Sequence, residues 1–299
     1  MSTNVVTAPA PLPAPLPAPL AQASASGRTL VMGILNVTPD SFSDGGRWAT
    51  PQTALAHGRE LAEQGADIID VGGESTRPGS KRITPAEEIA RVEPVVRELA
   101  AAGIVVSIDT IHAETARTAV NAGALIINDV SGGLADPSMH QLVAETGVVY
   151  ICQHWRGTPE TMDQLTDYPD GVVAGVEAEL SQRLAELGDA GAARSQIVID
   201  PGLGFAKTHP QSWELLAATA RLHTDLGLPV LIGASRKRFL AAALKAAGEG
   251  GPADLTARDA ATAATTALAA AAGAWAVRVH DVPSSLDAVR TSALWKEHS

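Results

Sequence analysis

The sequence is poor in several things, and each absence excludes a class of protein. It has one cysteine, Cys152, in 299 residues. An intrachain disulfide framework is therefore impossible, and such thiol usage fits a reducing compartment, the cytoplasm. Aromatic residues make up only 3%, so any core has to be filled by alanine and small branched side chains. Lysine and arginine number 22 against 33 acidic residues, a formal net charge of −11. A basic face for nucleic acid or for a membrane surface is not expected. No apolar run approaches the ~18 residues of a membrane-spanning helix. What is present suffices for a sizeable core: 45% of the residues are hydrophobic. The length fits one large domain or two ordinary ones.

The first 27 residues differ from the rest. Pro9-Ala-Pro-Leu-Pro-Ala-Pro-Leu-Pro-Ala-Pro19 is a low-complexity repeat. Such a segment favours extended polyproline II and cannot pack a core. It lacks the basic start and unbroken apolar stretch of a signal peptide. The expectation is a disordered tail over 1–27, with a single folded domain over 28–299.

Apolar runs and helical patterns alternate along that domain. Strands are expected at 29–36, 68–71, 104–108, 125–127, 148–151, 197–199, 230–232 and 274–279. Helices are expected between them at 51–65, 85–102, 113–122, 138–146, 172–187, 211–226 and 256–272. Each unit is near the ~30 residues of a βαβ repeat. Strands buried on both faces read as continuous apolar runs, as these do. The reading is a (β/α)8 TIM barrel, with a doubly wound open sheet as runner-up.

The strand ends carry the chemistry. In Ile197-Val-Ile-Asp-Pro-Gly-Leu-Gly-Phe-Ala-Lys207 a β-branched run stops on a carboxylate and turns at Pro-Gly. One such Asp200 would cap the next helix. The pattern recurs, however, at Asn36, Gly73-Glu-Ser-Thr76, Asp109, Asn128, His154, Ser235-Arg-Lys237 and Arg278-Val-His280. Polar strand ends spread over a whole barrel point to one shared pocket. Asp109, Asn128, Asp200 and Lys237 suit a flat heterocycle with an amidine or guanidine edge, because a carboxylate accepts two parallel N–H bonds. A structural ion pair of Lys237 with one aspartate would explain one carboxylate, not the set. Arg278 and His280 lie two apart on one strand and face the same way. With Thr76 and Arg77 they suit phosphate. Asn36, Asp40 and Asp44 offer hard oxygen ligands of the kind Mg2+ takes beside a diphosphate, although Pro-Asp-Ser and Ser-Asp-Gly are also ordinary turns. Two long Gly/Ser-rich loops, 37–46 and 72–80, are candidate lids. Cys152 reads as a small core residue and His154 as a packed histidine.

Seven of these stretches resemble bacterial dihydropteroate synthases. They are Met32-Gly-Ile-Leu-Asn-Val-Thr-Pro-Asp-Ser-Phe-Ser-Asp-Gly-Gly46, Gly72-Gly-Glu-Ser-Thr-Arg-Pro-Gly79, Ser107-Ile-Asp-Thr110, Asn128-Asp-Val-Ser-Gly-Gly133, Asp200-Pro-Gly-Leu-Gly-Phe205, Gly233-Ala-Ser-Arg-Lys-Arg-Phe239 and Arg278-Val-His-Asp-Val282. The resemblance implies a TIM barrel that joins 4-aminobenzoate to 6-hydroxymethyl-7,8-dihydropterin diphosphate, releasing diphosphate. It implies Asp109, Asn128, Asp200 and Lys237 as the pterin clamp, with Phe205 beside the ring. It implies Asn36 as the Mg2+ ligand, and Thr76, Arg77, Arg278 and His280 as diphosphate contacts. Ser235 and Arg236 lie where the second substrate approaches, and Phe42, Pro78 and Phe205 form its apolar walls. Arg278 and His280 would stabilise the leaving group, and Asp44 or Asp109 the developing cation. The resemblance also implies a homodimer, for which the small residues of 262–272 permit close helix packing. His154-Trp155-Arg156 departs from the family pattern, in which methionine is common near the pterin. Two rivals share the barrel: a pterin-dependent methyltransferase domain, and an inactive or scaffold paralogue. The first would not need Asn36, the Ser-Thr-Arg-Pro loop or Arg278 with His280. The second would not need every chemical position occupied.

Overall fold

The computed structural model describes residues 21, 25, 27–37, 51–74, 82–158, 160–244 and 258–299. The Pro/Ala repeat, most of the two long loops, and with them Asp40, Phe42, Asp44, Thr76, Arg77 and Pro78, lie outside the described residues.

The apolar runs form eight strands: β1 (Leu30–Asn36), β2 (Ile68–Gly72), β3 (Val106–Asp109), β4 (Ile126–Asp129), β5 (Val149–Gln153), β6 (Ile197–Asp200), β7 (Leu231–Ile232) and β8 (Ala276–Val279). They pair in parallel in the order β6-β5-β4-β3-β2-β1-β8-β7. A parallel bridge between Ile199 and Val230 joins the two ends of that series, so the sheet closes on itself. Closure rules out the doubly wound sheet. Most strands start one or two residues later than the apolar runs suggest.

Around the barrel lie α1 (Pro51–Glu63), α2 (Pro85–Ala101), α3 (Ala113–Asn121), α4 (Met139–Thr146), α5 (Val172–Asp189), α6 (His209–Ala217), α7 (Thr219–Leu226), α8 (Ala241–Leu244), α9 (Asp259–Ala271) and α10 (Val282–Glu297). Local chemistry sets several of these ends. Thr84 and Thr208 each accept from the backbone N–H three residues on, and Glu87 and Gln211 reach back, forming two capping boxes. The single helix expected over 211–226 is two. The Thr219 hydroxyl donates to the Leu216 carbonyl at 2.7 Å, and the chain breaks at Ala218. Helix α10, which follows the last strand, is an element the sequence reading leaves unassigned.

Two layers of core result, and strand parity separates them. Outward residues such as Val31, Val71, Ile108, Ile127, Tyr150, Ile199 and Val277 pack under the helices. Inward residues Leu30, Met32, Ile68, Val105, Ile126, Val149, Ile151, Val198, Leu231 and Ala276 fill the lower barrel with Trp275. Cys152 is a free thiol among the outward set, fully buried, as expected for a small core residue. Among the described residues no helix is long and apolar enough to cross a membrane.

Candidate active site

Moving up each strand by two residues from that apolar floor gives the site. Ile68 leads to Asp70, Ile126 to Asn128, Val198 to Asp200, Leu231 to Gly233 and Ala276 to Arg278. On β3, Asp109 has the same parity as Val105. Parity therefore brings three carboxylates, an amide and a guanidinium to the C-terminal mouth of the barrel.

Asp70 is the centre of one group. It is fully buried, and its Oδ2 accepts from Asn128 Nδ2 at 3.0 Å and from Arg278 Nε at 2.6 Å. Arg278 Nη2 donates to Asp109 Oδ2, also at 2.6 Å. Gly72 sits opposite Asp109 in the β2–β3 register, and a Cβ on it would lie 3.6 Å from the Asp109 Oδ2. Burial pushes the Asp109 carboxyl up to about 7, although the Arg278 guanidinium opposes this. Burial also works against the charge on Arg278, but Asp70 and Asp109 outweigh it and hold the guanidinium more firmly protonated than usual. Among the described residues Asp70 Oδ1 has no partner, and neither has the hydroxyl of Ser107, its register neighbour on β3.

Asp200 and Lys237 form the second group. Asp200 does not cap a helix: its Oδ1 accepts from the Gly202 N–H at 2.7 Å, closing a turn at the end of β6. Burial raises its carboxyl, with Lys237 the main opposing charge. Lys237 donates to the Leu203 carbonyl and stands 4.6 Å from the centroid of the Phe205 ring. Burial lowers its ammonium to about 8 against the pull of Asp200. Gly233 leaves room there, since a Cβ on it would lie 3.7 Å from Asp200 Oδ2 and 3.9 Å from Lys237 Nζ. The lysine and the carboxylate face one another without closing the space between them.

The other expected positions fall around this mouth. Asn36 ends β1 beside Gly72. Ser235 Oγ lies 2.9 Å from His280 Nδ1 and accepts from the His280 N–H at 3.2 Å. Arg236 adopts a left-handed φ of 58°, and its guanidinium turns to Asp259 at the start of α9, with contacts of 2.8 and 2.9 Å. Asp44, Phe42, Thr76, Arg77 and Pro78 lie outside the described residues. Among the described residues no group of three or more His, Cys, Asp or Glu is placed to hold a metal.

His154 is more than a packed ring. Its Nε2 lies 3.1 Å from Glu179 and its Nδ1 3.0 Å from the ammonium of Lys207. Arg156 completes the cluster by gripping Glu179 and stacking 3.9 Å from the Tyr168 ring centroid. Trp155 lines a cavity of about 190 Å3 with Ser131, Leu134, Leu180 and Arg183, against α5. None of the clamp residues lines it.

Among the polar residues that the sequence reading passed over are Asp70 and Lys207. The signal for Asp70 was present: a carboxylate inside the apolar run of β2. For Lys207 there was none, because a lysine at the end of a glycine-containing loop reads as exposed.

A barrel mouth with two carboxylate-and-cation groups has the donors and acceptors that suit a small polar ring. Residues 32–280 match the family model described as pterin binding enzyme. The dihydropteroate synthase of Mycobacterium leprae is 51% identical over 266 residues, spanning 89% of this chain and 93% of the relative. Among solved structures, Xanthomonas albilineans dihydropteroate synthase with 4-aminobenzoic acid is 41% identical, with a TM-score of 0.79 over 90% of this chain and 93% of that one. The same enzyme in complex with 7,8-dihydropteroate aligns with a TM-score of 0.76 at 39% identity, over 90% and 93% of the two chains. The chain belongs to the dihydropteroate synthase family.

Proposed function

We propose that this protein condenses 6-hydroxymethyl-7,8-dihydropterin diphosphate with 4-aminobenzoate, giving 7,8-dihydropteroate and diphosphate. One observation carries the reading. The inward strand positions of a chain 51% identical to a dihydropteroate synthase gather Asp70, Asp109, Asn128 and Arg278 at one mouth with Asp200 and Lys237.

In this reading the ring enters between the two groups. Asp200 accepts from the amidine edge of the pterin, and Lys237 donates to a ring oxygen or nitrogen. Asn128 offers both a donor and an acceptor, and Asp109 a further acceptor. Phe205 lies along the ring beside Lys237. The C–O bond to diphosphate breaks, and its electron pair leaves with the oxygen. The arylamine nitrogen forms the new C–N bond and loses a proton to water. Arg278 and His280 stabilise charge on the departing group, while Asp109, or Asp44, stabilises the cation on the dihydropterin. Arg278 is already fixed by two carboxylates, so it needs little reorganisation. Ser235, Arg236, Phe42 and Pro78 would face the aminobenzoate, and Thr76 and Arg77 the diphosphate.

Mg2+ would be held by the Asn36 amide oxygen. A single neutral oxygen suits an ion that completes its shell with substrate phosphates and water. It would supply charge neutralisation on the diphosphate. Residues 28–299 are proposed as the catalytic barrel with 1–27 as a tail beyond it. The protein is proposed to be a cytoplasmic homodimer. The self-association reading is supported by exposed apolar side chains on the last two helices, with Leu268 62% and Trp295 72% exposed.

A diphosphate-release assay tests the reading. With both substrates, diphosphate and dihydropteroate should appear in equal amounts. Release that does not require the arylamine, or none with both substrates present, would contradict it.

A further inference from the structure

Behind the loop that joins β6 to α6 lies a buried lysine with no part in the ring contacts described above. Lys207 is only 6% exposed. Its ammonium donates to the Phe205 carbonyl at 2.9 Å and to His154 Nδ1 at 3.0 Å. Glu179 is ionised and can only accept, so His154 Nε2 is the donor to it and Nδ1 is left to accept from Lys207. His154 then carries its proton on Nε2 and donates it to Glu179 at 3.1 Å. Arg156 holds Glu179 from the far side. A chain of contacts links the surface to the loop: Lys207 donates to His154, His154 donates to Glu179, and Arg156 donates to Glu179 from the surface side, so donation converges on that carboxylate.

The chain reaches Asp200 by two routes. The His154 N–H donates to the Asp200 carbonyl at 2.8 Å. Gly202, whose N–H holds the Asp200 carboxylate, packs against Lys207, and a Cβ there would meet the ammonium at 3.4 Å and the His154 carbonyl at 2.4 Å. The backbone is bent to allow this. Ala206, the residue before Lys207, has a left-handed φ of 50°, and its carbonyl accepts from the Tyr168 hydroxyl at 3.2 Å. A non-glycine residue in that region costs of the order of 1 kcal/mol, and strain of this kind gathers at functional sites. Without this turn, Lys207 would not fold back beneath its own loop.

Burying an ammonium is costly, and a hydrophobic residue would fill the space more cheaply. Burial lowers Lys207 to about 7, with Asp200 the main charge opposing the shift. Burial lowers His154 to about 4, which agrees with a neutral ring in this tautomer. Burial works to raise Glu179, but bonds from His154 and Arg156 bring it to about 2 and keep it ionised.

We infer that Lys207 is a positioning residue for the ring site. It clamps the Phe205 carbonyl from behind, so that Asp200 and Phe205 meet the pterin in one fixed arrangement, and Glu179 holds Lys207 in place through His154. Lys237 fixes the same loop from the front at the Leu203 carbonyl. The loop is thus held between two lysines, of which only Lys237 faces substrate.

The inference rests on the pterin reading given above. Wild-type protein titrated calorimetrically with 6-hydroxymethylpterin separates the two: if the wild type fails to bind, the pterin reading fails, whatever Lys207 does. Given binding, K207M should weaken affinity at least tenfold. In an Asp200→Asn background the same change should cost less than threefold, because Lys207 acts on the ring largely through Asp200. An equal loss in both backgrounds, or no loss, would overturn the proposal. If K207M does not fold, Glu179→Gln decides. It should raise the KM for pterin diphosphate at least threefold, with the KM for 4-aminobenzoate within twofold and Tm unchanged. An unchanged KM for pterin diphosphate, or an equal rise for both substrates, would refute the relay.

Discussion

Arg278 Nε lies 2.6 Å from Asp70 Oδ2, and this bond links the last strand of the barrel to the second. Asp70 also receives Asn128 at 3.0 Å, so one fully buried carboxylate orients two site residues. Removing it leaves a partly buried guanidinium, 22% exposed, short of a partner. Asp70→Ala should lower the unfolding free energy by about 3–5 kcal/mol, the range for breaking a buried pair. Urea unfolding measures this. A loss under about 1 kcal/mol would mean that Asp109 alone satisfies Arg278.

Asp109 predicts a pH dependence. Its carboxyl is raised to about 7 by burial, against the pull of Arg278. Below that pH it is protonated and loses the acceptor proposed for the ring. The kcat/KM for pterin diphosphate, which reports the free enzyme, should fall above about 8 as Lys237 loses its proton, and below that should rise with pH along a limb centred near 7. Asp109→Asn should lower kcat/KM and abolish that limb. Stability has the opposite sign. A raised carboxyl contributes most below its unfolded value of about 3.9 and loses that contribution as pH rises through 7. The ligand-free wild type should lose stability relative to Asp109→Asn between about pH 4 and 7. A limb that survives in the variant would remove Asp109 from the assignment.

The left-handed Ala206 is fully buried, so two effects oppose one another there. Glycine at φ 50° relieves about 1–2 kcal/mol of Cβ strain. It also gives up a buried methyl worth about 0.8 kcal/mol and adds about 0.4–1 kcal/mol of backbone entropy to the unfolded chain. Ala206→Gly should therefore change the unfolding free energy by less than about 1 kcal/mol, measured by urea unfolding. A loss above about 2 kcal/mol, the range of a core deletion, would show that packing of the methyl, not strain, dominates the position.

Much of this was legible in the residues. Apolar runs that end on Asp109, Asn128 and Asp200 marked the strands and the residues that gather at one mouth, because a buried parallel strand has a continuous apolar signature. Closure of the sheet was legible in the eightfold alternation with polar residues at every strand end, although the bridge between Ile199 and Val230 that completes it has no local signal. Helix α10 was missed because pairing each strand with the helix before it leaves the last helix without a strand to announce it. Asp70 was passed over within Ile68-Ile-Asp-Val71, although it has the parity of an inward residue. His154 read as packing because its partners, Lys207 and Glu179, are 53 and 25 residues away in sequence. The pairing of Arg236 with Asp259 likewise spans 23 residues, with no helical spacing to signal it.

The account turns on Asp200 as an acceptor for a pterin edge, and calorimetric titration of 6-hydroxymethylpterin into wild type and Asp200→Asn tests it most directly. The substitution puts an amide donor where the ring presents donors, and an unpaired buried polar group costs about 1–3 kcal/mol. The wild type should bind, and the variant should bind roughly 10- to 100-fold more weakly with its Tm little changed. Equal affinity in the two proteins would contradict the assignment of Asp200 to the pterin clamp.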